Sequence, residues 1–244
     1  MKIKLSNCDF YYLTNRNPTR KQNILSQFCK FPQTSLTEVN PAKMTDLNKK
    51  QSGGTGFSRM IDTACQKQDP KGTFKPFVLL EDDVSLSRSL EELEQVDIPD
   101  DADLLYLGLS SFGLTKVTID NGKGIKYKAK SGKVCFSHVN NDVVRIYNML
   151  SLHAILVCSF YGALTFQKCL IEDFYKRRHY DWGIAQQQPY FKVYALRNPI
   201  FYQDKKVGGQ EDATKIKFEK TEENMDKLLS WKITENLAIK TCVK

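Results

Sequence analysis

Phe77-Val78-Leu79-Leu80-Glu81-Asp82-Asp83 joins four apolar residues to three acids, and this stretch decides the fold that we expect. The apolar half is typical of a strand buried on both faces of a parallel or mixed sheet. The acids then lie at the carboxyl edge of the sheet, where open α/β folds bind their ligands. Because side chains alternate along a strand, Glu81 and Asp83 are expected to point one way and Asp82 the other.

The carboxylates of Glu81 and Asp83 would repel each other unless a cation or a proton lay between them. A hard divalent ion with oxygen ligands is the usual solution in proteins. The alternative is that Asp82 and Asp83 merely start a turn or cap a following helix. The triplet alone leaves the ligand site and the cap equally open, so the surrounding chain has to decide.

Length and composition limit the classes of protein to which the chain can belong. The chain has 244 residues, of which 41% are apolar and 26% charged, and we expect one large domain at residues 1–210 with a C-terminal helical extension at 211–244 packed on it. No apolar stretch approaches the ~20 residues that span a bilayer, so no membrane span is expected. Asn7 and Asp9 interrupt the start before a signal-peptide core forms, and the seven cysteines are scattered without a CxxC pair. These features favour the cytoplasm.

The net charge of +8, from 36 basic and 28 acidic residues, suggests an anionic ligand. A solvated lysine-rich surface explains the same number equally well. Since no basic stripe is interleaved with aromatic residues, no nucleic-acid partner is expected.

The first half of the chain alternates between strand and helix patterns. Strands are predicted at residues 8–13, 35–39 and 77–80, and Thr19-x-x-Gln22 is a capping-box pattern that opens the first helix. Gly53-Gly54-Thr55-Gly56 leads into a second helix with an apolar stripe. This alternation predicts an α/β fold with a mixed, mainly parallel sheet flanked by helices.

The second half continues with strands predicted at residues 103–108, 153–159 and 192–195. A lysine- and glycine-rich run at 116–133 indicates an exposed hairpin, and Gly162 starts a helix. In the tail, Thr221 is a predicted cap, and apolar residues at helical spacing indicate docked helices. These apolar residues are Met225, Leu228, Leu229 and Ile233.

Several motifs occur in an informative order: Leu13-Thr14-Asn15-Arg16, the Gly53 to Ser58 helix entry, Leu79-Leu80-Glu81-Asp82-Asp83-Val84, Ser159-x-x-Gly162-Ala163, Tyr180-Asp181-Trp182 and Asn198-Pro199-x-x-Tyr202-Gln203. In this order the chain resembles glycosyltransferase family 25 and the related small glycosyltransferases encoded by large DNA viruses. The resemblance covers residues 8–203 and implies the Rossmann-like GT-A fold. In the chain we find no counterpart of the signal peptide, retention tail and second domain of the cellular enzymes. This difference favours a compact enzyme of the cytoplasm, or of the host cytoplasm if virus-encoded.

The resemblance implies transfer of a sugar from a nucleotide-diphosphate donor, usually a UDP-sugar, to a glycan or glycoprotein acceptor with the help of Mn²⁺ or Mg²⁺. The acidic motif of the family maps onto Glu81-Asp82-Asp83, which would bind the metal and the donor. By this mapping Asp83 is the direct metal ligand, and Glu81 reaches the metal through water or holds the donor ribose. A departing diphosphate needs such neutralisation of its charge.

The nucleotide end of the donor is assigned to the sheet edge and the second helix. Three residues follow the first strand at this edge: Thr14, Asn15 and Arg16. Arg16 or Arg20 could contact phosphate, and the alternative for both arginines is solvation or pairing with helix acids. Gly53 and Gly54 permit a close backbone approach to a ligand before a helix N-terminus, but they also suit an ordinary flexible loop.

Asp181, between Tyr180 and Trp182, is the candidate acceptor-side base, because an inverting transfer needs a carboxylate to take the acceptor proton. The alternative is an N-cap for the helix that follows. Two other functions stay open: a metal-dependent phosphoesterase or nuclease, and a nucleotide-sugar-binding module without turnover.

Overall fold

The computed structural model describes residues 1–14, 16–42, 49–119, 125–131 and 134–209. The predicted extension at 211–244 and the candidate residue Asn15 therefore lie outside the described residues. The helices are α1 (Pro18–Phe28), α2 (Lys49–Gln66), α3 (Phe160–Tyr175) and α4 (Trp182–Gln187). The strands are β1 (Asp9–Leu13), β2 (Ser35–Val39), β3 (Phe77–Glu81), β4 (Val84–Leu86), β5 (Leu104–Tyr106), β6 (Phe112–Ile119), β7 (Ile125–Ser131), β8 (Phe136–His138), β9 (Val143–Ile146), β10 (Ala154–Val157), β11 (Val193–Leu196) and β12 (Phe201–Gln203).

The main sheet has eight strands in the order β2-β1-β3-β10-β5-β11-β9-β8. β1 is parallel to both β2 and β3, and β5 is parallel to β11. β10 is antiparallel to its neighbours β3 and β5, and β9 is antiparallel to β11 and β8. Six strands thus run in one direction and two, β9 and β10, in the other. The predicted mixed α/β sheet flanked by helices is confirmed.

Helices cover both faces of the sheet because β3 is apolar on both of its faces. Phe77 and Leu79 belong to the core under α2 and α3, together with Phe57 and Phe166. Val78 and Leu80 belong to the opposite core, which includes residues of α1 such as Ile24 and Phe28. The four apolar residues of β3 are at most 1% exposed, as expected for a strand sandwiched between two helical layers.

The start of α1 differs from the predicted one. The cap is Asn17 and not Thr19, because the Asn17 side chain accepts the backbone N–H groups of Thr19 and Arg20 at 2.9 and 3.4 Å. Pro18 then occupies the first helical position, where its missing N–H costs nothing. The cap lies two residues earlier than the Thr19-x-x-Gln22 pattern suggests.

Two smaller pairs of strands complete the fold. β4 pairs with β12 in antiparallel orientation, so Gln203 lies opposite Val84, just after the acidic triplet. β6 and β7 form the hairpin predicted for the lysine-rich run. Among the described helices, none has the length and apolar character that crossing a membrane requires.

Candidate active site

The acidic triplet lies at the carboxyl end of β3, next to the end of β1. Leu13, the last residue of β1, is in register with Glu81. The loop from β1 to α1 therefore starts beside the acids, and α1 begins at the same sheet edge. This placement confirms the expected position of the triplet at the carboxyl edge of the sheet.

Glu81 is held by two side chains from distant parts of the chain. The hydroxyl of Tyr180 donates to Glu81 Oε1 at 2.7 Å, and Gln203 Nε2 donates to Oε2 at 3.1 Å. Burial raises the pKa of Glu81 to about 8, and repulsion from Asp83 and Asp181 adds to this shift. The Glu81 carboxyl group thus has a fixed orientation in a buried environment that disfavours its charged form.

Asp82 and Asp83 share one guanidinium. Nη1 of Arg20 lies 2.8 Å from Asp82 Oδ1 and 3.5 Å from Asp83 Oδ2. The expectation that alternation turns Asp82 away from Asp83 is wrong, because β3 ends at Glu81 and the next two residues form a turn. The alternation of a strand does not extend into that turn.

Arg20 also joins the acids to the last described segment. Its Nε donates to the carbonyl of Val207 at 2.8 Å, and its Nη2 donates to the carbonyl of Gly208 at 2.9 Å. The backbone N–H of Asp204 donates to the carbonyl of Asp83 at 2.8 Å. One arginine on the first turn of α1 therefore ties residues 204–208 to the acidic turn.

One carboxylate oxygen of Asp83 can still accept a hydrogen bond or bind a cation. Burial raises its pKa, and the neighbouring charge of Arg20 only partly opposes this shift. Its Oδ1 atom is buried and has no hydrogen-bond partner among the described residues. A buried carboxylate oxygen without a partner is costly, so this atom is a ready ligand position for a cation.

Tyr180 and Asp181 lie on a short segment between α3 and α4 that one buried carboxylate fixes at both ends. Arg178 Nε donates to Asp173 Oδ1 at 2.9 Å before the segment. The N–H of Gly183 donates to Asp173 Oδ2 at 2.6 Å after it. Asp173 is 1% exposed, so it acts as an internal anchor for the segment.

Asp181 precedes α4, yet its side chain makes no capping hydrogen bond. Its Oδ1 atom is buried and has no partner among the described residues. Burial raises the pKa of Asp181 to about 7, while the charge of Lys50 works against the shift. A carboxylate that does not cap its helix does not fit the helix-cap alternative, and its pKa suits proton transfer near neutral pH.

Gly53 and Gly54 lie inside α2 and not before it, since the helix already runs from Lys49. The expectation that they form a loop ahead of a helix N-terminus is wrong. A Cβ on Gly53 would lie 2.5 Å from Cε1 of Tyr180, and one on Gly54 would lie 3.3 Å from its Cβ. The glycines let α2 approach Tyr180, which stacks on Phe57 with ring centroids 5.6 Å apart.

The loop after β1 is arranged by Thr14. Its N–H donates to the carbonyl of Val39 at 3.1 Å, and its Oγ1 accepts the N–H of Arg16 at 3.0 Å. Arg16 has a positive φ of 65° and is exposed. Thr14 therefore shapes the loop, Arg16 faces solvent, and Arg20 contacts the acids directly.

His153, a weaker candidate from the sequence, is part of the core. Its Nδ1 is hydrogen-bonded to Ser151 Oγ, and its carbonyl accepts the N–H of Glu81 at 2.9 Å. A Cβ on Gly108 would lie 2.0 Å from Nε2. The ring is thus packed against the backbone at Gly108, and the carbonyl of His153 contacts the end of β3 at Glu81.

A cation would have to be held by the carboxylates around Glu81. Of the four acids Glu81, Asp82, Asp83 and Asp181, Arg20 pairs with Asp82 and Asp83, and the pKa of Glu81, Asp83 and Asp181 is raised by burial. In the described part of the chain no group of three or more His, Cys, Asp or Glu side chains is arranged to hold a metal ion. The excess of negative charge and the free Oδ1 of Asp83 fit a cation that Glu81 and Asp83 share.

Sequence reasoning missed Gln203 as a contact of Glu81 and favoured a solvated or helix-paired Arg20. Gln203 is 122 positions from Glu81, so only the pairing of β12 with β4 brings it there. For Arg20 a signal existed, because the first turn of a helix after β1 lies at the sheet edge that carries the acids.

No protein-family model matches the chain, and a comparison with curated proteins gives no match.

Proposed function

We propose that this protein is a metal-dependent glycosyltransferase of GT-A type that transfers a sugar from a nucleotide-diphosphate donor, in the simplest case a UDP-sugar, to a glycan or glycoprotein acceptor. The carrying observation is the cluster of Glu81, Asp82, Asp83 and Asp181 at the carboxyl edge of the sheet, where burial raises the pKa of three of the four acids and Arg20 pairs with Asp82 and Asp83. Open α/β sheets bind ligands at this edge.

The donor half of the site would use Asp83 and Glu81 to hold Mn²⁺ or Mg²⁺. Such an ion neutralises the charge of a departing diphosphate. Asp82 is already neutralised by Arg20 at 2.8 Å, so its role is to hold the arginine in place. Glu81 is oriented from two sides by Tyr180 and Gln203, which fixes the donor half before a ligand arrives.

The acceptor half would use Asp181 as the base. It lies on the segment that also carries Tyr180, so the residue that orients Glu81 and the proposed base share one segment anchored by Asp173. The Oδ1 of Asp181 is buried and has no hydrogen-bond partner among the described residues, and in this proposal it accepts the proton of an acceptor hydroxyl that enters the site. In an inverting transfer this proton leaves the hydroxyl as its oxygen attacks the anomeric carbon.

A second candidate is a nucleotide-sugar-binding module without turnover. The observation that favours it is the ion pair of Arg20 with Asp82 and Asp83, which supplies part of the positive charge that a metal ion would bring. In this case Arg20 would stay in place when a nucleotide binds, and binding would not depend on a divalent ion.

The test is a thermal-shift titration of UDP with and without Mn²⁺, followed by donor hydrolysis. The transferase predicts stabilisation by UDP that requires Mn²⁺ and slow release of UDP from a UDP-sugar. Metal-independent binding without hydrolysis supports the binding module. Hydrolysis of bis(p-nitrophenyl) phosphate without any UDP-dependent stabilisation would overturn both in favour of a phosphoesterase.

A further inference from the structure

The outer face of α3 carries a row of large apolar side chains that are exposed. Eight large apolar side chains are exposed in the described part of the chain, and five of them belong to α3. These five, here called the α3 row, are Phe160 (55% exposed), Tyr161 (60%), Leu164 (53%), Ile171 (47%) and Tyr175 (80%). At 3.6 residues per turn they fall on one side of the helix, with Lys168 among them.

The inner face of α3 is already buried. Its core residues include Ala163, Phe166 and Leu170, and α3 packs against α2, α4 and β10. A helix with apolar side chains on its outer side as well as on its core side is typical of a helix covered on both sides. A contiguous exposed apolar row of this size marks an interaction surface.

The chain itself contains a segment that suits the α3 row. Residues 210–244 follow the last described residue, and the spacing of Met225, Leu228, Leu229 and Ile233 predicts one apolar helix face. Polar residues such as Lys227 and Ser230 occupy the other side of this predicted helix. Two apolar helix faces pack against each other as ridges into grooves.

The end of the described chain lies within reach of α3. Gly209 donates its N–H to the carbonyl of Asp204 at 2.9 Å, beside the acidic turn. Tyr180, five residues after the end of α3, contacts Glu81 in the same turn. The residues at 210–220 span up to about 36 Å when extended, which exceeds the ~23 Å length of the 16-residue helix α3.

We propose that residues 221–233 of this chain dock on the α3 row and form the second layer over that side of the fold. Residues 210–220 would connect the docked segment to Val207 and Gly208, which Arg20 ties to the acids. The surface is distinct from the acidic cluster, and the inference does not depend on the proposed activity.

Hydroxyl-radical footprinting of the full chain, at a concentration where sedimentation shows a monomer, measures the exposure of the row. We expect Leu228→Asp/Leu229→Asp to raise the oxidation rates of Tyr161, Ile171 and Tyr175 several-fold. Leu25 and Val139, exposed elsewhere, serve as internal references and should not change. The control variant Lys227→Asp/Ser230→Asp alters the polar side of the same segment and should leave all rates unchanged.

A reciprocal measurement keeps the test independent of the stability of one variant. Ile171→Asp should speed trypsin cleavage after Lys227 and Lys232 in the full chain, because it releases the segment. Equal footprints in the wild type and in Leu228→Asp/Leu229→Asp, or unchanged cleavage in Ile171→Asp, would overturn the proposal. Protection of the row that disappears on dilution would overturn it as well, in favour of a second copy of the chain.

Discussion

The hydroxyl of Tyr180 lies 2.7 Å from a carboxylate oxygen of Glu81, although 99 positions separate the two residues in the chain. This contact joins the segment between α3 and α4 to the end of β3. Gly53 of α2 lies against the ring of Tyr180 and helps to hold the ring in this position. The orientation of Glu81 therefore depends on three elements that are distant in sequence.

Tyr180→Phe removes this hydroxyl and keeps the ring that stacks on Phe57. A hydrogen bond to a charged group contributes about 1.5–3 kcal/mol, so Mn²⁺-dependent UDP binding should weaken about tenfold or more. Tyr194→Phe is the matched control, because its hydroxyl donates to Asp101 at 2.8 Å, away from the acids. Calorimetric titration with UDP in the presence of Mn²⁺ measures the affinity of both variants. Equal affinities in the two would contradict the role of Tyr180.

Asp82→Asn and Asp83→Asn should have opposite effects on stability and on Mn²⁺-dependent UDP binding. Asp82 is the closer partner of Arg20, so its replacement removes a charge-assisted hydrogen bond from a largely buried guanidinium and should lower the free energy of unfolding by about 1.5–3 kcal/mol. Burial disfavours the charged form of Asp83, so Asp83→Asn should change stability little while it weakens Mn²⁺-dependent UDP binding.

Chemical denaturation and UDP titration of both variants make this comparison. A folded Asp83→Asn variant with wild-type metal-dependent affinity would remove Asp83 from the metal site. Loss of stability in Asp83→Asn, with none in Asp82→Asn, would show that Arg20 is held by the other acid.

Asp173→Asn should loosen the segment that carries Tyr180 and Asp181. The change removes the charge that holds Arg178 at 2.7 Å and should reduce kcat for transfer while the KM for donor stays near the wild-type value. The control is Asp103→Asn, since Asp103 is a buried acid that joins Ser159 and the N–H of Lys192 at 2.5 and 2.9 Å. Both rates are measured well below the melting temperatures, and equal kcat losses would mean that Asp173 acts only on stability.

His153 should make the fold sensitive to acid. Burial lowers the pKa of His153 to about 4, whereas an unfolded histidine has a pKa of about 6.5. The unfolded chain therefore binds the proton first, so stability is lost as the pH falls from 6.5 and the loss is complete near pH 4, at about 3 kcal/mol. Denaturation of wild type and His153→Gln between pH 4 and 7 should give a flatter curve for the variant. Parallel curves would assign the acid sensitivity to other groups.

Much of the fold follows from local patterns in the sequence. β2 is found at the predicted residues, and β3 continues one residue further, because apolar runs with β-branched residues between turns are local signals. The antiparallel direction of β10 has no such signal. It follows from the hairpin of β6 and β7 and the strands after it, which return the chain to the sheet without a crossover helix.

The site is less predictable than the fold. The acids of β3 and Asp181 could be found because each lies next to a local strand or aromatic pattern. The contacts of Gln203 and Asp173 depend on strand pairing and helix ends that no short window of sequence encodes. The start of α2 is not predicted correctly because glycine has a low helix propensity, and here Gly53 and Gly54 lie inside the helix where it approaches Tyr180.

Asp181→Asn separates chemistry from binding. The donor half of the site is built from Glu81, Asp83 and Arg20, so the variant should bind UDP and Mn²⁺ as the wild type does. Because Asp181 makes no capping hydrogen bond, and its charged form is disfavoured by burial, its melting temperature should not fall. Transfer should drop about 10²–10⁴-fold, the range for a lost general base. The decisive measurement is the single-turnover rate of sugar transfer at saturating donor. A near-normal rate would show that another group takes the acceptor proton, or that the enzyme retains configuration and has no need of a base at this position.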